Sequence, residues 1–322
     1  MRVLVTGAGG PAAVSVWKSL ADEHELLLAD MDPDSPGLYL VPAQRRFLIP
    51  RGESAELVPA LLELCRAQSV EVLISTVDAE LAPVAEAEAS FAAIGTRVPL
   101  SPAQVLHRCR DKWALLSHLS GNPFVPSCVQ LSARTLPAIT RFPCFAKPRA
   151  GSGSRGIALI ESAQDLAELP LDDSYLVQEL LPGPEFSVDV YVSQRGELVA
   201  AVPRERIRTD SGIAITARTL HMPELMEAAA NIARTVGIRY VANVQFKQAS
   251  DGHYKLLEIN PRFPGSLPLT GAAGVDIPRL LMDDLQGKPL PSGPMPFREI
   301  LMVRYWTEKY LDPSEWQALC RH

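Results

Sequence analysis

The sequence has no long apolar run, no basic excess and no paired-cysteine motif, and each absence removes a class of function. The most apolar segments, such as VEVLISTV at 70–77, fall far short of the roughly 20 residues a bilayer-spanning helix needs. The 37 acidic residues outnumber the 31 basic ones, for a net charge of −6. That balance argues against a nucleic-acid partner or an anionic-membrane surface, while a local basic pocket stays compatible with it. Five cysteines (Cys65, Cys109, Cys128, Cys144, Cys320) lie far apart with no C-x-x-C, so neither a disulfide framework nor a zinc knuckle is expected. His107 and Cys109 form one close pair, short of the three or four ligands a metal takes. No basic, apolar leader precedes the first strand, because MRVLVTGAGG enters a strand and a glycine turn at once. The expectation is a cytoplasmic protein with no targeting segment.

What is present is a globular pattern. At roughly 150 residues per domain, 322 residues suggest two domains or one large body with a smaller insert. An apolar share of 47% is enough to bury a sizeable core. Over the first hundred residues, strand-like runs (2–7, 25–30, 45–50, 70–76) alternate with helical ones (11–22, 55–68). Such alternation implies a doubly wound parallel sheet covered on both faces. Near residue 100 the pattern changes. Helical spacing over 101–120 gives way to strands at 143–148, 156–162, 175–181, 185–193 and 196–208. A helix at 223–237 then leads into strands at 240–248 and 253–262. This second part reads as α+β with mostly antiparallel strands.

Three motifs carry chemistry. Gly7-Ala8-Gly9-Gly10 joins the first strand to the first helix, with Asp30 ending the next strand. The arrangement nearly fits a dinucleotide fingerprint, and it equally suits a tight strand-to-helix turn. Arg149-Ala150-Gly151-Ser152-Gly153-Ser154-Arg155-Gly156 lies between two strands. Its unshielded backbone N–H groups could fold over a polyphosphate, and a flexible hairpin loop would look similar. Lys147 precedes it, and Lys112 lies on the helix before. The third motif is a hairpin. If Asp251-Gly252 form a two-residue turn, Gln245 faces Glu258 and Asn243 faces Asn260, all on one face, beside Arg262. Val244, Phe246, Leu257 and Ile259 then fill the other face. An oxygen-rich cluster with one carboxylate suits Mg²⁺, which takes its remaining ligands from water and substrate phosphates. A polar face open to solvent is the plain alternative.

Taken together and in order, RDKW (110–113), FAKPRAGSGSRGI (145–157), VQELLPGPEFSVDV (177–190), NVQF (243–246) and LLEINPRFPGSLPLT (256–270) resemble the ATP-grasp superfamily, in particular carbamoyl-phosphate-synthase-like carboxylate–amine ligases. The resemblance extends from the N-terminus to about residue 290. It implies a doubly wound N-terminal domain at 1–107 and a two-subdomain ATP-grasp fold. The small subdomain at 108–185 would carry the glycine-rich loop, the large one at 186–290 the metal site, and 291–322 would be a tail packed on the body. It also implies roles. Lys112 and Lys147 would hold the ATP phosphates, and Gly151, Ser152, Gly153, Ser154 and Gly156 would close over them. Gln178 and the backbone of Glu179 and Leu180 would receive adenine, and Glu185 the ribose hydroxyls. Gln245, Glu258 and Asn260 would hold one or two Mg²⁺, with Mn²⁺ as a substitute, and Arg262 would support the transferred phosphoryl group together with Lys147. More weakly, Arg204, Arg206 and Arg218 in 203–221, with Gly265 and Ser266, would border the substrate site.

The expected function is therefore an ATP-dependent ligase that joins a carboxylate to an amine through an acyl phosphate, releasing ADP and phosphate. Its partners would be those small molecules, and the resemblance points to a homodimer. An ATP-grasp phosphotransferase or carboxylase-type enzyme is the alternative within the fold. A non-catalytic ATP-binding regulatory protein and a nicotinamide oxidoreductase are the alternatives from other classes.

Overall fold

The computed structural model describes residues 1–151 and 156–320. Its first sheet contains β1 (Arg2–Thr6), β2 (Glu25–Asp30), β3 (Arg46–Leu48) and β4 (Val72–Ile74), in the order β3-β2-β1-β4 with parallel neighbours. Alternation along β1 explains why this sheet needs covering on both sides. Val3 and Val5 pack with Ala12, Val16 and Leu20 of the helix Pro11–Leu20, while Leu4 packs with Leu57 and Leu61 of the helix Leu57–Ala67. The first of these cores runs on into Tyr191, Val202, Leu267 and Leu281, so the N-terminal sheet is packed against the rest of the described chain.

A second, antiparallel sheet follows: β5 (Cys128–Ser132), β6 (Cys144–Pro148), β7 (Ala158–Ile160) and β8 (Asp172–Glu179), ordered β5-β8-β6-β7. Cys144 and Ala146 of β6 face a small core with Leu131, Ile160, Leu166 and Val177. The alternate positions, Phe145 and Lys147, therefore face the opposite way.

The third sheet is the largest. It holds β9 (Glu185–Val192), β10 (Leu198–Asp210), β11 (Ile213–Thr219), β12 (Tyr240–Gln248), β13 (Tyr254–Asn260) and β14 (Leu301–Val303), ordered β13-β12-β9-β10-β11-β14. All its neighbouring strands are antiparallel. One face is apolar: Val188, Val190, Ala242, Val244, Phe246 and Ile259 pack on Leu225, Ala229 and Ile232 of the helix Pro223–Val236. The other face carries Ser187, Asp189, Arg204, Asn243, Gln245, Glu258 and Asn260, as period-two alternation dictates. The expected fold class, a parallel-sheet domain followed by antiparallel sheets, is the observed one. The helical stretch expected over 101–120 is two helices with a sharp break between them. Asp111 ends the helix Ala103–Arg110 and caps Lys112–His118, its Oδ1 accepting the N–H groups of Trp113 (2.9 Å) and Ala114 (3.2 Å). Among the described residues no helix is long and apolar enough to cross a membrane.

Candidate functional site

The hairpin β12–β13 reaches the expected register by an unexpected route. Gln245 pairs with Glu258 and Asn243 with Asn260. The turn, however, is not two residues: Ala249 donates its N–H to His253 (2.8 Å), which leaves Ser250, Asp251 and Gly252 in the loop. A register shift between Gln245 and Phe246 then takes up one residue of β13. The two irregularities cancel at the polar pairs and not before them. Leu256 rather than Leu257 is therefore the fully buried residue, and Leu257 is turned to the cleft. That corrects the apolar face expected from the sequence.

Between the four-stranded and six-stranded sheets lies a cleft of about 500 Å³. Lys112, Lys147, Gly151, Gln178, Glu185, Arg206, Gln245, Glu258, Asn260 and Arg262 all line it, from six separate stretches of the chain. Lys147 is 6% exposed and donates only a long bond, 3.4 Å, to the carbonyl of Leu257. Burial, with the positive charge of Lys112 beside it, pulls its ammonium down to about 8. Lys112 donates to the Gly151 carbonyl (3.0 Å) and lies 4.0 Å from Glu258. Gln178 is buried, and among the described residues its Oε1 has no hydrogen-bond partner. On the floor, Gln245 donates to Asn243 Oδ1 (3.1 Å) and Asn260 to Glu258 Oε1 (3.1 Å). Glu185 pairs with Arg206 at 3.0 Å. Arg262 makes a bidentate pair with Asp78 (2.7 and 2.9 Å), which starts the helix Asp78–Glu86.

A second cavity of about 450 Å³ adjoins the first and shares Arg206, Gln245, Asn260 and Arg262 with it. Gly265 and Ser266 line this one, with Gly7, Gly9, Gly10, Asp30 and Asp32 on the far wall.

Several expected site residues lie elsewhere. Arg204 lines neither cavity: it is 1% exposed, beneath the floor, and pairs with the fully buried Asp189 at 2.5 Å. Asp189 also accepts from Asn243 (2.7 Å) and Thr270, so this arginine braces the floor. Arg218 pairs across strands with Glu205 (2.6 Å), on the side of the hairpin facing away from Arg204 and Arg206. The segment 203–221 is thus a hairpin. It turns at Ser211 and Gly212, both at positive φ, and Gly212 and Ile213 at its tip line both cavities. The Asp-Ser-Gly between two alternating runs was the signal for that turn. Glu179 is committed to Ser127 through its N–H (3.0 Å) and its carboxylate (2.7 Å), and Leu181 rather than Leu180 lines the cleft. Gly156 lies near the cleft without lining it. Ser152, Gly153 and Ser154 fall outside the described residues.

Residues 172–309 match the family model described as ATP-grasp in the biosynthetic pathway with Ter operon, and residues 3–99 match the PylC-like N-terminal domain. The C-terminal part of the chain is thus similar to ATP-grasp proteins, and the N-terminal part to a PylC-like domain. The chain is 28% identical over 108 residues to a D-alanine–D-alanine ligase of Thermotoga maritima, a match that takes in 32% of this chain and 36% of that ligase. The chain thus aligns with about a third of the length of these curated relatives. Among solved structures, the N5-carboxyaminoimidazole synthetase of Staphylococcus aureus complexed with ADP superposes with a TM-score of 0.76 at 17% identity, over 94% of this chain and 82% of that one. A biotin carboxylase from Campylobacter jejuni gives 0.74 at 17% identity, over 90% and 72%. At such identities the structural likeness is one of fold.

Proposed function

We propose that the chain is an ATP- and Mg²⁺-dependent ligase that joins a carboxylate to an amine through an acyl phosphate, with ADP and phosphate as products. The observation that carries this reading is the pair of buried lysines, Lys112 and Lys147, facing one cleft with Glu258 as the carboxylate near them. Two like charges held out of water are costly unless an anion joins them. A polyphosphate is an anion of matching charge and reach.

The residues fit the nucleotide and its metal. Gln178 Oε1, buried and unpaired, suits an amino N–H of a base, and Glu185 keeps Oε2 for ribose hydroxyls while Oε1 meets Arg206. Glu258, with the amide oxygens of Gln245 and Asn260, forms an oxygen donor set of the kind Mg²⁺ takes. Among the described residues no cluster of three His, Cys, Asp or Glu side chains offers a richer metal site. Such a set leaves part of the coordination to phosphate oxygens.

Bound ATP would supply a phosphoryl group that turns a resistant carboxylate into one with a good leaving group. The protein's own part is positioning and charge. Lys147 and Lys112 would neutralise phosphate oxygens. Arg262, held in plane by Asp78, would present its free N–H groups to the acyl phosphate and then to the tetrahedral oxyanion. Gly151 opens the loop that would exclude water from this intermediate.

The test is turnover with pooled carboxylates and amines, quantifying ADP, AMP and phosphate with and without hydroxylamine. ADP and phosphate with a trapped hydroxamate are expected. AMP would overturn the acyl-phosphate route, and ADP without hydroxamate would favour the phosphotransferase alternative.

A further inference from the structure

The six-stranded sheet ends at β14, and that edge is open. Its register on β11 sets Leu301 against Arg218, Met302 against Ala217 and Val303 against Thr216. Arg304 donates its N–H to the Ile215 carbonyl (2.9 Å), and the Ile300 carbonyl accepts from Thr219 (3.0 Å). Ile300, Met302 and Arg304 thus make the ladder, and the N–H and C=O groups of Leu301 and Val303 point away from β11. Among the described residues those outward groups have no hydrogen-bond partner. The side chains alternate too. Ile300 and Met302 pack on Ala214, Ala217 and Leu269, while Leu301 and Val303 are more than half exposed. Edge strands are commonly blunted by a lysine, a proline or a bulge, and Leu301–Val303 has none of these.

The chain beyond this edge is held in place. Arg304 donates to the Gly265 carbonyl and Lys309 to that of Tyr39. The helix Pro313–Cys320 is then fixed by Glu315 on Arg46 (3.0 Å) and by Trp316 on Asp34 (2.6 Å). Between these anchors Tyr305, Trp306 and Tyr310 are 86%, 92% and 90% exposed. With Leu301 and Val303, three such rings offer roughly 600–800 Å², close to the area of about 800 Å² that each partner gives to a standard interface.

We propose that β14 pairs with β14 of a second copy of this chain, antiparallel about a two-fold axis at Val303, so that two six-stranded sheets become one of twelve strands. The edge fits itself in that register. With the strand extended to Tyr305, Val303 faces its own copy and Leu301 faces Tyr305, and each pair exchanges two backbone hydrogen bonds. Leu301, Val303 and Tyr305 share one face of the strand, where aromatic and β-branched residues gain from cross-strand contact. Further out, Arg298 stands opposite Glu308 on both sides of the axis, and no like charges are opposed. A two-fold interface needs one patch that complements itself, and this edge meets that condition. The homodimer expected from the sequence thereby gains a definite interface, whatever the reaction catalysed.

The experiment is sedimentation velocity on the full chain over a concentration series, with amide hydrogen exchange read at Leu301 and Val303. The unaltered chain should sediment as a dimer at micromolar concentration, and both amides should exchange more slowly as the dimer forms. Val303→Pro removes an outward N–H and leaves the β11 ladder whole. Trp306→Glu changes a side chain that is almost wholly in solvent, so it tests the idea even if Val303→Pro proves unstable. Each should raise the dissociation constant by a factor of about 30 or more, the loss of one interface anchor. Leu159→Glu, on the exposed edge strand β7 of the other antiparallel sheet, should leave the dimer unchanged. A monomer at every concentration overturns the proposal. So does a dimer that survives Trp306→Glu, or one that Leu159→Glu weakens equally. Exchange at Leu301 and Val303 that stays fast in the dimer overturns the strand pairing.

Discussion

Lys147 in the cleft and Glu80 beneath the first sheet are both cut off from water, and they show two ways of living with a buried charge. Glu80, 4% exposed, accepts a hydrogen bond from Thr6 Oγ1, and burial, with the charge of Asp30 adding to it, pushes its carboxyl up to about 7. That group can shed its charge by keeping a proton. Lys147 is pulled down to about 8 and still carries its charge at neutral pH, beside a second lysine. Glu80 is adjusted from within, whereas Lys147 stands where a partner from outside is needed. The difference separates a structural acid from a binding group, although burial is the dominant cause at both.

Substitutions should sharpen that contrast. Lys147→Met is expected to lower turnover by a factor of about 10² to 10³ and to raise stability at pH 7 by about 1–3 kcal/mol, read by ADP release and urea unfolding. A loss of both activity and stability would remove the distinction. Glu80→Gln should leave turnover intact and change only the pH dependence of folding. The stability that Glu80 contributes is fully present below about 4.5 and is lost as pH rises through about 7. The variant should therefore match the parent at pH 4 and exceed it by up to about 3 kcal/mol at pH 8. A smaller effect concerns protons. Binding of an ATP analogue should raise the Lys147 pKa and draw protons from solution near pH 8, seen as a buffer-dependent heat in calorimetry that Lys147→Met abolishes. The smallest contrast lies on one hairpin. Arg206→Ala should weaken substrate binding by about ten-fold, while Arg218→Ala, on the opposite side, should shift stability by under about 0.5 kcal/mol and leave KM unchanged.

The parts legible in the sequence were those set by local spacing. Runs such as RVLVT and ELLLAD are apolar at every interior position because their two faces meet different cores, and the helix Pro223–Val236 announces itself by period and by Gly237 at its end. The polar face of β12–β13 was legible from a turn and an alternation, even though the turn was one residue longer than expected. What escaped was set by partners distant in sequence. Nothing near Arg204 says that Asp189 will bury it, and nothing near Glu179 says that Ser127 will occupy it. Asp78 and Arg262, which pair with each other, are 184 residues apart. Periodicity carries no information about such meetings.

The paired irregularities of β12–β13 have a consequence for how this hairpin can change over generations. Side chains in a strand alternate with a period of two, yet the residue bulged out at Leu257 is chain to spare. Loss of one residue among Ser250, Asp251 and Gly252, or of Leu257 itself, leaves enough for the three-residue loop and an unbulged ladder in which Gln245 still faces Glu258 and Asn243 still faces Asn260. A loss at both places would have to shorten the loop itself, so descendants of this hairpin should differ in length at one place or the other rather than at both.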